Sequence, residues 1–138
     1  MAFAGMNPVA IVVGAVVAFL FGWLWYSALG GLWLKALGPT GDEVRAKGMR
    51  VQPLIVNFIA LLVMGWVLAG LIGHLGPGQV TVRNGVISAA FCWLGFVITT
   101  QATNHAYQNR TRALTAIDGA HWLGALLIEG AVIGLLGV

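Results

Sequence analysis

The chain has 138 residues, of which 59% are hydrophobic and 8% charged, with a net charge of +3 and a mean hydropathy of +0.92. A water-soluble domain carries about 25% charged residues, because water must solvate its surface; four acids and seven bases exclude that class and give most of the surface to lipid. The positive balance is read as membrane topology rather than a nucleic-acid interface, and a single cysteine, Cys92, excludes an intramolecular disulfide and a multi-cysteine metal site.

The first span opens at Asn7-Pro8, a capping residue followed by a proline suited to a first helical turn. It is apolar to Ser27 and reaches Leu34 unless Gly30-Gly31 breaks it, a span of 7–34 with Trp33 and Lys35 as interfacial anchors. No Lys or Arg precedes it, and it ends in Trp23-Leu24-Trp25-Tyr26 rather than a small-residue cleavage site, so it is read as a retained helix and not a signal peptide. The stretch from Gly38-Pro39 to Arg45 combines turn residues with a short capped helix, expected to rest on the headgroups as a connector. The second span covers 51–75, closed by Gly76-Pro77-Gly78; the third covers 82–105 and the fourth 113–136. Each reaches the roughly 20 residues that cross a hydrocarbon core. None shows the alternation of a barrel strand, so the expected fold is one all-α domain, a bundle of four transmembrane helices.

Six of the seven basic residues lie in the first and third connections (Lys35, Arg45, Lys47, Arg50, Arg110 and Arg112), and only Arg83 lies in the second. If basic loops face the cytoplasm, both termini face outward. That side also discounts Asn109-Arg110-Thr111 as a glycosylation site.

Small residues recur at four-residue spacing: Gly14, Ala18 and Gly22; Gly65, Ala69 and Gly73; Gly130 and Gly134. Such stripes let backbones approach closely, here within one bundle, with self-association as the other use. A homo-oligomer, a dimer first, is expected because so small a bundle often works only as an assembly. Trp66 and Trp93, near mid-span, are assigned to packing in the bundle.

Ionisable groups within a span cost several kcal/mol unless paired or hydrated. Asp118, His121 and Glu129 fall at about 0°, −60° and +20° around the fourth span, one polar stripe on an apolar helix. Ser88, Cys92, Gly95 and Thr99 share a narrow arc of the third span. Counted from the cytoplasmic ends, Asn57, Gln101, Asp118 and His121 all lie one to two turns deep, joined by Tyr26 and Ser27 if the first span is long. Glu129 stands about 16 Å from Asp118 toward the outer side, where it either snorkels to the headgroups or meets His74. Asp118 and His121, three apart, either pair as a structural lock with Asn57 and Gln101 or form a ligand or proton site. The doubled spacing of helical metal ligands is missing, so no metal and no cofactor is expected. No phosphate loop, nucleophile elbow or His-Glu-x-x-His occurs, so no enzymatic activity is assigned.

Asn7-Pro8, Gly22-x-x-Trp25-Tyr26-Ser27, Trp33, Gly38 and Ala116-Ile117-Asp118-Gly119-Ala120-His121 resemble a family of small bacterial four-span proteins catalogued as domain of unknown function 1761. The resemblance covers almost the whole chain. Ala28 stands where the family commonly has proline, which removes the cause of a kink after Ser27, and Ala120 replaces a frequent aromatic residue beside His121. The resemblance implies a bacterial inner-membrane location and no established activity. The residues themselves favour a bundle with a cytoplasm-facing polar cavity that binds or passes a small polar solute, ion or proton. The alternative is an accessory or assembly subunit of a larger membrane complex, its polar stripe serving as a docking face.

Overall fold

The computed structural model describes residues 2–138 as five helices. They are α1 (Pro8–Ala36), α2 (Pro39–Lys47), α3 (Val51–Gly73), α4 (Val82–Tyr107) and α5 (Arg112–Leu136). All but α2 are long and apolar enough to cross a membrane, and together they form an all-α four-span bundle. Helix is forced by the solvent: with no water to satisfy them, backbone N–H and C=O groups must bond within each segment. The same constraint carries α1 straight through Gly30-Gly31, where glycine would weaken a helix in water. The caps follow local rules. The Asn7 side chain accepts from the N–H groups of Val9 and Ala10, and Thr81 and Thr111 each cap the helix they precede.

Helix α5 is the hub, touching α1, α3 and α4. Its approach to the neighbours is set by glycine. Gly130 lies backbone to backbone against Gly85 of α4, and Gly134 against Thr81, with no room for a side chain at either. Gly14 and Gly65 admit the Glu129 segment of α5, and Gly22 admits His121. Ala18 and Ala69 are buried, and Gly73 receives the backbone of Gly5 and the ring of Phe3. The small-residue stripes thus pack within the chain.

The two ends of the bundle differ. At the end holding both termini, Ile11, Leu68, Ile72, Leu126 and Ile133 form a closed apolar core, and Ala4 N–H donates to the Gly73 carbonyl. At the opposite end, which carries the basic connections, the spans diverge. The first six residues of α3 are all exposed, and α4 has no buried residue from Trp93 onward. That end is tied instead by its connections. Thr111 donates to the Ala36 carbonyl at 2.9 Å, Arg110 donates to Thr40 at 3.2 Å, and Gly41 seats α2 on the backbone of Leu34. The connector helix is docked on α1 rather than free.

Two expectations about the spans are corrected. Residues Trp93–Val97 form a π-turn inside α4, closed by Ile98 N–H bonding back five residues to Trp93. The extra residue rotates the remainder of the helix, so Ser88 and Cys92 stay half-buried while Gly95 and Thr99 turn outward. The arc read from a uniform helical period is therefore split. Trp66 is 57% exposed on the lipid-facing side and takes no part in the core.

Glycine should accordingly divide into two classes in thermal unfolding of the detergent-solubilised protein. Gly30→Ala and Gly31→Ala, where a methyl meets nothing within 4 Å, are expected to stabilise by about 0.5–1 kcal/mol each. Gly130→Leu, pressed against Gly85, is expected to prevent assembly of the bundle.

Candidate functional site

The polar stripe of α5 meets α1 and α4 at the basic end. Tyr26 of α1 donates its hydroxyl proton to Oδ1 of Asp118 at 2.6 Å. On either side of Asp118, two indoles from different helices hold the α5 backbone: Trp25 Nε1 donates to the Ile117 carbonyl at 3.2 Å, and Trp93 Nε1 donates to the Gly119 carbonyl at 2.8 Å. Each of these carbonyls lies beside the residue that must be positioned. The indoles thus fix the rotation of α5 about its axis and with it the direction of the carboxyl group. Trp33 packs edge-on against Tyr26, with ring centroids 5.6 Å apart, and completes the aromatic wall. One turn nearer the basic end, His105 Nδ1 and the Thr115 hydroxyl share a hydrogen bond of 2.9 Å that ties α4 to α5.

His121 does not pair with Asp118. It is 3% exposed, and neither ring nitrogen has a hydrogen-bond partner. Its ring lies parallel to Phe21 at 6.1 Å and is flanked by Tyr26 at 5.0 Å and Trp122 at 4.9 Å. Gly22 supplies the space: a methyl there would stand 2.7 Å from Nε2. The adjacency of Asp118 and His121 on one helix face is real, but Tyr26 takes the carboxylate and leaves the imidazole free.

The remaining anticipated residues separate into two cavities. One, of about 380 Å³, lies between α1 and α3 and is lined by Tyr26, Ser27, Asn57 and His121 together with Phe19, Gly22, Trp23, Met49 and Leu54. The other, of about 450 Å³, opens between α3 and α4 and is lined by Thr100, Gln101, Asn104, His105 and Gln108 against Met64, Phe96, Val97 and Trp122. Gln101 therefore does not join Asn57. Its Oε1 is buried near Gly119 without a hydrogen bond. Thr99, Thr100 and Thr103 spend their hydroxyls on carbonyls one turn back in their own helix, the local solution for hydroxyls in lipid. Among the described residues, no three His, Cys, Asp or Glu side chains gather closely enough to hold a metal ion.

A family profile described as "Protein of unknown function (DUF1761)" matches residues 9–134. The chain belongs to the DUF1761 family. No curated protein and no solved structure matches it. The stretch matched to DUF1761 takes in all the polar residues of α5, the Trp25-Tyr26 pair and nearly the full length of the four spans.

Glu129 corrects a further expectation. It neither snorkels nor meets His74. Its side chain is wholly buried, roughly 10 Å inside the end of α5, and neither carboxyl oxygen has a partner. Methyl groups on Gly14 or Gly65 would stand 3.5 Å from its Cα or its Oε1. His74 is exposed beyond the end of α3, where Nδ1 lies 2.7 Å from the Gly70 carbonyl and the ring packs on Phe3. The stripe faces inward along its whole length, so the carboxyl is carried into the core and away from the headgroups.

Sequence reasoning missed Trp25 and Trp93 as donors, Phe21 as the stacking partner of His121, and the His105–Thr115 link. The first had one signal, its place beside Tyr26 in the Gly22-x-x-Trp25-Tyr26-Ser27 element; the others depend on which helices become neighbours.

Two substitutions separate these roles in thermal unfolding. Tyr26→Phe leaves Asp118 without its donor and is expected to cost about 1–3 kcal/mol, the range for stranding a buried polar group. Glu129→Gln keeps the volume and removes an uncompensated acid, so its midpoint is expected at or above the wild-type value, whereas Glu129→Lys should not fold.

Proposed function

We propose that this protein binds a small polar solute in the cavity between α1 and α3. In this reading it sits in a bacterial inner membrane with its termini outside and the basic end toward the cytoplasm. The observation that carries the proposal is His121, a buried imidazole with both nitrogens unpartnered on the wall of a cavity that also offers Tyr26, Ser27 and Asn57. Buried polar groups are normally satisfied within the fold, so a covered imidazole left without partners at a cavity wall is a side chain that a ligand would complete. Asp118 acts one step back. By accepting the Tyr26 hydrogen bond it leaves the phenolic oxygen free to accept from a ligand, and the Trp25 and Trp93 indoles hold the α5 backbone on either side of it.

Behind Phe19 of the cavity wall lies a buried apolar cluster of Ala15, Ala18, Leu61 and Ala125. A bound solute would reach this site from the basic end.

A second reading, an accessory subunit of a larger membrane complex or a self-assembling one, draws on the seam between α3 and α4. There the polar cavity continues into an apolar groove of about 390 Å³ lined by Val63, Val67, Leu71, Cys92 and Leu126. A partner helix laid in that seam would cover both.

Proteoliposome flux of small neutral and zwitterionic probes (glycerol, urea, glycine) tests the first reading. The wild type is expected to accelerate at least one probe, and Asp118→Asn/His121→Ala to lose that acceleration while remaining folded. Equal flux through both proteins would remove the solute-handling role; co-purification with one larger complex would favour the second reading.

A further inference from the structure

The cavity between α1 and α3 has two unlike ends. Its inner wall carries Tyr26, Asn57 and His121, all hydrogen-bonding groups, whereas its rim is apolar and open: Trp23 is 62% exposed, Leu54 40% and Met49 86%. The rim lies beside the first turns of α3, where every residue before Asn57 is exposed. Asn57 is six residues into α3, roughly 9 Å along its axis. The opening thus faces sideways, at the level of one leaflet, as well as toward the basic connections. A solute from water crosses an apolar rim to reach the polar wall, while a molecule dissolved in the leaflet meets matching surface all the way.

The wall also restricts charge and shape. None of its nine lining residues is Lys, Arg, Asp or Glu, so a phosphate or carboxylate head would be desolvated without a counter-charge, at a cost of several kcal/mol. The groups present suit an uncharged head that bears oxygen. The imidazole and the Asn57 amide each supply a donor, and Ser27 adds a hydroxyl at the rim. Phe19, Trp23, Tyr26 and His121 supply four rings, and Gly22 lets the His121 edge lie against α1 with no side chain between. Four rings around so small a volume favour a flat ligand that stacks offset against them.

We propose that the occupant is a lipid-phase molecule with a flat, uncharged, oxygen-bearing ring, the chemical class of the quinones. This rests on the assignment of a binding cavity to this face and names its ligand class. The ring carbonyls accept hydrogen bonds from His121 and Asn57, and the hydrocarbon tail leaves between Trp23 and Leu54 into the bilayer.

Photolabelling of the intact protein in phosphatidylcholine nanodiscs with an azido-decylbenzoquinone tests this. Saturable labelling is expected within residues 19–27 and 49–57, suppressed by excess decylbenzoquinone and not by decanol. Asn57→Leu, at a half-buried wall position, is expected to weaken apparent affinity about tenfold, the scale of one hydrogen bond in a dry site. Gly22→Leu should abolish labelling by filling the cavity, and Asn57→Leu carries the test if Gly22→Leu fails to fold. Labelling spread without competition over lipid-facing residues such as Phe91, Phe96 and Leu135, or unchanged in Asn57→Leu, would overturn the quinone assignment. If such a failure accompanied His121-dependent flux of glycerol, urea or glycine, the ligand class alone would fall; loss of both results would remove the binding cavity as well.

Discussion

Helices inside a bilayer gain little by hiding apolar side chains from lipid that is equally apolar, so they must be held by proximity of backbones, packing of small surfaces and a few directional bonds. In this protein that requirement falls on α5. Gly130 and Gly134 bring its terminal half against α4 with nothing between the backbones. Gly14 and Gly65 open a slot on the other side, and the slot is filled by Glu129. Because α5 is clamped along this half, its polar stripe is held at a fixed rotation and cannot turn toward lipid. The whole basic end inherits that rotation.

The basic end is built on the opposite plan. Large aromatic side chains replace glycine contacts, α3 and α4 diverge, and the volume they leave is lined by polar groups. Two tryptophans hold the α5 backbone there through its carbonyls rather than through its side chains. A carbonyl has two lone pairs, so it can serve the helix ladder and an indole at once. This device positions Asp118 without consuming it, and it leaves His121 among the rings of Phe21, Tyr26 and Trp122, none of which hydrogen-bonds its nitrogens. The π-turn in α4 belongs to the same plan. It lies where Trp93 reaches α5, and the extra residue turns the polar run beyond it toward the α3–α4 seam rather than along the earlier arc.

The molecule therefore leaves buried polar groups without partners in both halves, Glu129 in one and His121 and Gln101 in the other. Glu129 is packed against Gly14 and Gly65, whereas His121 lines the cavity between α1 and α3. The difference in surrounding space, rather than in polarity, makes His121 the candidate for ligand binding.

The sequence by itself determined the four spans, the single polar stripe of α5, the small-residue stripes and membership of its family. All of these depend on local properties: run length against bilayer thickness, the angular period of a helix, and short motifs. It also grouped Asn57, Gln101, Asp118 and His121 with Tyr26 and Ser27, of which Gln101 lines a different cavity. What it could not assign were partners, because a shared helix face establishes adjacency and not bonding. The group that claims Asp118 lies 92 residues away on α1, and the carboxyl of Glu129 meets glycine rather than His74. Trp66 and Trp93 look alike in mid-span, yet one faces lipid and the other holds α5. Only the tertiary structure decides such matters, since they depend on which helices are neighbours and on a single π-turn that no periodicity announces.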